Sequence, residues 1–231
     1  MKRIILVALL GLGMFSSQAQ ETYNSSGRTG QPRYKENQKK KGFDVNRLVF
    51  GGNLGLTFGT ITNIYIAPSI GYRITDNFAA GISLGYNYYR QKDAIYTYNV
   101  DPLKPSEYRP FSQSIYTGSV WGRYIIIPNI MVQAEFEANN LDDYSDPTIP
   151  NKPDKNGWWM PGKRRVTVPS LLLGGGFRQP IGEHASMYIM AMYDVLQNIP
   201  SNMREDGSGG RYSISPYANR LDIRVGFMLG F

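Results

Sequence analysis

From Leu48 to Phe231 the chain repeats one pattern, an apolar side chain at every second position with glycine, small or charged residues between. A period of two belongs to an extended strand, whose side chains point alternately to opposite faces. The last eleven residues carry it most fully. Leu221, Ile223, Val225, Phe227, Leu229 and Phe231 fall on one face, and Asp222, Arg224, Gly226, Met228 and Gly230 on the other. A chain patterned this way over most of its length is all-β.

Parsing the alternation gives eight strands, near 48–58, 64–74, 78–90, 112–126, 130–138, 166–178, 185–196 and 221–231. After a first hairpin with a short turn at Gly59–Asn63, their connections alternate in length. Thr75-Asp76-Asn77, Pro128-Asn129 and 179–184 make short turns, while 91–110, 141–165 and 197–219 make long polar loops. Asp and Asn favour the tight reversals, and Pro102, Pro105 and Pro110 argue against strand in the first loop. Short turns at one end and long loops at the other describe an eight-stranded antiparallel up-and-down β-barrel, with both termini on the short-turn side. Pro68 and Pro169 fall inside strands and call for a bulge or a rim position, because neither can donate to the ladder.

Alternation alone leaves the direction of the apolar face open, since a soluble lipocalin-like barrel turns it inward. The second face decides. It holds Gly51, Gly55, Gly71, Gly81, Gly85, Gly174, Gly176 and Gly226 together with Arg73, Arg123, Glu135, Glu137, Arg178, Asp194, Asp222 and Arg224. Glycines weaken a strand that faces solvent but make room for long side chains inside a narrow barrel. Four arginines against four carboxylates also nearly cancel, as an enclosed set should. The polar face is therefore expected inside, as a ring of guanidinium groups meeting Glu135 and Glu137 and plugging the lumen. The apolar face then points outward, which makes the barrel transmembrane. Tyr86, Tyr88 and Tyr116, and Tyr72, Tyr124 and Phe78, fall where two interfacial girdles are expected.

The N-terminus has a different composition. Lys2 and Arg3, an apolar run Ile4–Phe15 and Ser17-Gln18-Ala19 resemble a secretory signal peptide over 1–19. Residues 20–47, with Lys39-Lys40-Lys41, are expected to be a flexible basic periplasmic tail, leaving 48–231 as the barrel. Without Lys2 and Arg3 there are 23 basic and 18 acidic residues, a net +5 that suits an anionic surface and carries no nucleic-acid signature. The sequence has no cysteine, which excludes disulfides, thiolate metal sites and a lipidated cysteine.

Ala-Pro-Ser-Ile-Gly-Tyr-Arg-Ile-Thr-Asp-Asn-Phe-Ala-Ala-Gly-Ile, residues 67–82, resembles a Pro-x-x-Gly-Tyr-x-x-x-Asp-Asn-x-x-x-Gly hairpin recurrent in outer-membrane β-barrel proteins of Bacteroidota-type bacteria. The likeness covers 67–88 as motif and 48–231 as architecture, of the OmpA and OmpX size. It implies a place in the cell outer membrane among lipid and lipopolysaccharide, and a C-terminal strand read by the barrel-assembly machinery through Phe227, Leu229 and Phe231. It implies no catalytic residues.

The chemical inventory is thin. His184 is the single histidine and falls in a short turn, away from the rim where a His-based nucleophile site would be built. Glu135 and Glu137 are expected as arginine partners rather than as a proton-sharing pair. Asp142, Asp143, Asp146 and Asp154 match no calcium-loop spacing and read as solvated loop. No cofactor or metal is expected. Trp158, Trp159, Lys163, Arg164 and Arg165 are the contact candidates of the second long loop. The expected function is that of a non-catalytic structural component or accessory subunit of a larger envelope complex, of secretion or barrel-assembly type, with protein partners in the outer membrane or periplasm. A surface ligand-binding or adhesion barrel acting through its loops, and a narrow channel, are the alternatives.

Overall fold

The computed structural model of the protein describes residues 43–231 apart from 147, 183, 206–207 and 231. The expected signal peptide, most of the expected tail and Phe231 lie outside the described residues. The chain forms β1 (Leu48–Thr57), β2 (Ile61–Arg73), β3 (Phe78–Thr97), β4 (Glu107–Ile127), β5 (Ile130–Asp143), the short pair β6 (Lys152–Pro153) and β7 (Trp159–Met160), β8 (Arg164–Pro180), β9 (Ala185–Asp194), the short pair β10 (Met203–Glu205) and β11 (Arg211–Ser213), and β12 (Asp222–Leu229). Eight of these strands hydrogen-bond in the closed order β1-β12-β9-β8-β5-β4-β3-β2, each antiparallel to its neighbours.

Exposure inverts the usual pattern of a water-soluble sheet. Along β5, Met131, Gln133, Glu135, Glu137 and Asn139 are buried, while Ile130, Val132, Ala134, Phe136 and Ala138 are exposed. On β12, Arg224, Gly226 and Met228 are buried and Ile223, Val225, Phe227 and Leu229 exposed. The register lines the outward residues into a row, Leu229↔Phe50↔Ile70↔Ile82↔Val120↔Phe136↔Leu171. The adjacent inward row reads Val49↔Gly71↔Gly81↔Trp121↔Glu135↔Leu172↔Asp194. Gly71 and Gly81 lie under the Trp121 indole, and a Cβ at either would come within 2.5 or 2.6 Å of its ring carbons. Only a residue without a side chain leaves room for the ring there.

The interior is less uniformly polar than its charges suggest. Met131, Met190, Met192 and Met228 pack with Val49, Trp121, Ile125, Leu172 and Tyr188 into one apolar cluster. Unbranched thioethers fill an irregular, tapering space well.

Three expected boundaries move. β3 and β4 run on past their expected ends to Thr97 and Glu107, so Pro110 lies within β4. The register shifts between Gln91 and Ile95, whose partners are Phe111 and Arg109, so Pro110 faces a bulge and owes no N–H there. The connection at 141–165 also shortens, because β5 reaches Asp143 and β8 starts at Arg164. At the N-terminal side, residues 43–47 belong with the ring and not with the tail. Val45–Arg47 forms a 3-10 turn, Phe43 stacks on Tyr72 at 5.5 Å, and Arg47 donates to the Ile74 carbonyl at 3.1 Å.

The two strand prolines are accommodated differently. Pairing between β2 and β3 skips from Ile66↔Tyr86 to Ser69↔Ser83 without a change of register, so Pro68 simply omits its rung. Pro169 lies beyond the end of the β8–β9 pairing, which begins at Leu172↔Asp194, and Asn202 supplies the missing partner to its carbonyl at 2.9 Å.

Candidate functional site

Four residues that the alternation places on the inner face converge on one point of the lumen. Arg224, on β12, donates to Glu135 at 2.8 Å, to Glu137 at 2.9 Å and to Asp222 at 2.6 Å. Glu135 and Glu137 are two apart on β5 and so share a face. Glu135 also accepts from Ser119 at 2.5 Å, Ser83 at 3.2 Å and Gln133 at 2.8 Å. Ser83 and Ser119 lie within hydrogen-bond reach of each other on the β3–β4 rung, and with one proton on each hydroxyl Ser83 gives its own either to Ser119 or to Glu135. The second Glu137 oxygen accepts from the Tyr217 hydroxyl at 2.6 Å.

Tyr217 was not among the residues singled out from sequence. It comes from the connection 195–221, which folds inward instead of standing free. Gln197, Asn202, Ser215 and Tyr217 are buried there. Asn202 donates to the carbonyls of Pro169 and Leu196, Ser215 to Asp194 at 2.7 Å, and Gln197 accepts the Asn219 N–H at 2.6 Å. Nothing in the local pattern marks Tyr217, because its partner Glu137 is 80 residues away.

The expected guanidinium ring is not assembled. Arg224 alone reaches the glutamates. Arg123 donates to Gln133 at 2.7 Å and lies 4.4 Å from the Tyr188 ring centre and 5.4 Å from that of Trp121, a cation held by aromatic faces. Arg178 donates to Ser186 at 3.1 Å. Arg73 is half-buried, and its Nε has no hydrogen-bond partner. Asp194 belongs to a turn rather than to the charge cluster, since it accepts the N–H groups of Leu171 at 3.1 Å and Leu196 at 2.9 Å. The physical reason is position along the strand. Arg224 is the third residue of β12, next to the connection 195–221, whereas Arg73, Arg123 and Arg178 lie toward the short-turn ends of β2, β4 and β8.

The outer loop residues are likewise redistributed. Trp158 is buried, with Arg109 over its ring at 5.1 Å, so it anchors the loop and offers no contact surface. Lys163 and Arg165 both bind Asp142, at 2.6 and 3.3 Å, and Arg164 binds Asp146 at 3.0 Å. These bases are therefore partnered within the protein, and the aspartates of the loop are turned to separate tasks. Asp143 binds Arg204 at 2.9 Å. Trp159 is half-buried beside Tyr98, with ring centres 6.0 Å apart.

The same loop is stitched to the end of the β3–β4 ribbon. Val100 N–H donates to Gly157, Trp159 N–H to Tyr98, and the Asn99 side chain to Asn156, at 2.8 to 3.1 Å. The outcome is an ordered platform above the ring on which Tyr96, Tyr98, Val100, Leu103 and Tyr108 are exposed. At the C-terminus Phe227 and Leu229 face outward. His184 is exposed in its turn, where its carbonyl accepts the Gly230 N–H at 2.7 Å.

No family model matches the chain, and no curated protein is similar to it. What the arrangement does chemically must therefore be read from its own groups. The oxygens of Glu135 and Glu137 are taken up by fixed donors, which suits a structural brace across the lumen.

The platform carries a pH expectation. The Asp154 carboxyl is held below the ordinary carboxylate range by the Trp158 N–H first, then by the Asn156 N–H and the Arg109 charge. The hydroxyl and N–H of Thr148, and then Arg164, hold Asp146 down in the same way. A depressed folded-state pKa gives stability that is present above the unfolded value of about 3.9 and lost as pH falls through the folded one. Amide protection over 146–160, taken relative to the intrinsic exchange rate at each pH, should thus stay high at neutral pH and fall below about pH 4, ahead of protection in β5 and β8. A uniform loss of protection in loop and ring together would refute a locally titrating loop.

Proposed function

We propose that the protein is a transmembrane eight-stranded β-barrel of the outer membrane and a non-catalytic subunit of an envelope assembly, presenting its outer platform to a protein partner. The observation that carries this reading is the inversion of the ring. An unbroken apolar belt faces outward while Arg224, Glu135 and Glu137 are enclosed, an arrangement that is costly in water and favourable in hydrocarbon. The braced lumen supports a scaffold over a channel, and the hairpin at 67–82 supports membership of the Bacteroidota-type outer-membrane barrels. Recognition by the barrel-assembly machinery through Phe227, Leu229 and Phe231 belongs to the same proposal.

The platform is the natural contact surface because its backbone is tied down while its tyrosines and Leu103 remain exposed. A photoreactive amino acid at Leu103, activated in intact cells, should yield a discrete heavier adduct. Adducts only with lipopolysaccharide, or none, would remove the subunit role. A second reading, binding of a ligand at the same exposed tyrosines, is favoured by the Tyr96–Tyr108 ring pair at 5.1 Å, and predicts that the adduct is lost when soluble ligand competes.

A further inference from the structure

The outward face changes chemistry at one level. Along β3 its side chains read Phe78, Ala80, Ile82, Leu84, Tyr86 and Tyr88, and then Arg90 and Lys92, both exposed. The stretch from Phe78 to Tyr88 is about 33 Å long at ~3.3 Å per residue, and about 25 Å tall at a tilt of ~40°, the height of a hydrocarbon-facing band. Arg90 and Lys92 thus stand just above the belt.

A third cation reaches the same place from β8. Arg90 pairs with Ser112 and Tyr88 with Ser114. The Arg165 guanidinium donates to the Ser114 carbonyl at 2.7 Å and lies 5.2 Å from the Tyr116 ring centre, which sets it one outward rung, ~7 Å, from the Arg90–Ser112 pair. Its carboxylate partner, Asp142 at 3.3 Å, is shared with Lys163. Arg90 and Lys92 enter no ion pair among the described residues. The exposed Asp93 follows Lys92, so four cations stand against two carboxylates, a surplus of positive charge.

Directly beneath lies an apolar groove. Below Tyr116 the next outward position of β4 is Gly118, paired with Leu84, and a Cβ added there would meet nothing within 4 Å. The missing side chain opens a groove of about 310 Å³ on the outer face, walled by Ile82, Leu84, Val120 and Phe136. Cations above and an apolar groove below are the two halves of a site for an amphiphile with an anionic head.

We propose that this face holds one anionic lipid of the outer leaflet, its phosphoryl group between Arg90 and Arg165 and an acyl chain in the groove at Gly118. The planar fork of arginine matches phosphate oxygens, and Lys92 and the exposed Ser112 hydroxyl supply further donors. The site presupposes the transmembrane placement proposed above.

The test uses the full chain in phosphatidylcholine discs carrying equal amounts of bisphosphorylated lipid A and its dephosphorylated form, followed by native mass spectrometry of the lipid retained. The phosphorylated form should be held in preference by about tenfold or more, as charge-assisted hydrogen bonds imply. Arg90→Gln combined with Lys92→Gln should remove most of that preference. Gly118→Leu should lower retention of both forms, because it fills the chain seat and leaves the cations in place. Lys104→Gln, an exposed charge of the platform, should change neither. Sodium phosphate should displace the lipid no more than sodium chloride of equal ionic strength does. Specific displacement by phosphate would make this a site for a soluble anion and overturn the lipid. Equal retention of the two forms by the native chain, or a preference untouched by the Arg90 and Lys92 changes, overturns the head-group site, and retention untouched by Gly118→Leu overturns the chain seat. Failure of the protein to enter the discs overturns the membrane reading itself, a result distinct from insertion without lipid preference.

Discussion

Arg224→Ala is expected to destabilise the ring by about 3–5 kcal/mol. The side chain is 1% exposed, and among the described residues it is the one cation bonded to Glu135, Glu137 and Asp222. Its removal leaves two fully buried carboxylates facing each other, with hydroxyls and one amide as their remaining donors. The cost is that of stranding charge out of water, not the net worth of the ion pairs. Heat-dependent gel migration and tryptophan fluorescence through a denaturant series would both read it. A companion variant separates the two quantities. Arg224→Met combined with Glu135→Gln and Glu137→Gln removes the cation and its two fully buried anions together, leaving only the partly exposed Asp222, and should recover most of the lost stability. Equal loss in the single and triple variants would mean that the cluster contributes by packing rather than by charge.

Val120→Arg is expected to cost about 2–4 kcal/mol in a bilayer and close to nothing in water. Val120 is exposed on the outer face, midway along the row that links Ile82 to Phe136. A new arginine there touches no interior group and breaks no rung, so a soluble ring would accept it as an ordinary surface change. Reconstitution yield and unfolding midpoint in lipid, measured for the variant beside the native chain, would show this penalty if the face meets hydrocarbon. An undiminished yield in lipid would count directly against the proposed transmembrane placement.

The strands were legible because alternation is a local signal, carried by neighbours two apart, and β5 and β12 follow it residue by residue. The inward direction of the polar face was legible too, since glycines and charges share one side of the sequence pattern. What escaped was governed by contacts far apart in the chain. Pro110 looked like a strand breaker, but a bulge in β3 absorbs it. Arg123 looked like a partner for Glu135, but it donates to Gln133 and lies over the aromatic faces of Tyr188 and Trp121. Lys163, Arg164 and Arg165 looked ready to meet either an external anion or water, and each also bridges to Asp142 or Asp146 of its own loop. Side-chain type announces what a residue needs. It does not announce which distant residue will supply it.

The short β1–β12 seam also bears on the order in which the molecule can form. Every other junction of the ring joins strands that are neighbours along the sequence or separated by one connection, whereas this one joins the two ends of the folded chain. It cannot form until β12 has been made, and loop closure makes it the most entropically demanding step of all. Until then β1 and β12 each present an unpaired edge, the geometry that templates pairing with a second chain. With rungs only from Phe50↔Leu229 to Leu54↔Val225 to hold it, closure is late and weakly driven, so the half-finished sheet is the state that a cell must shield while this protein is being made.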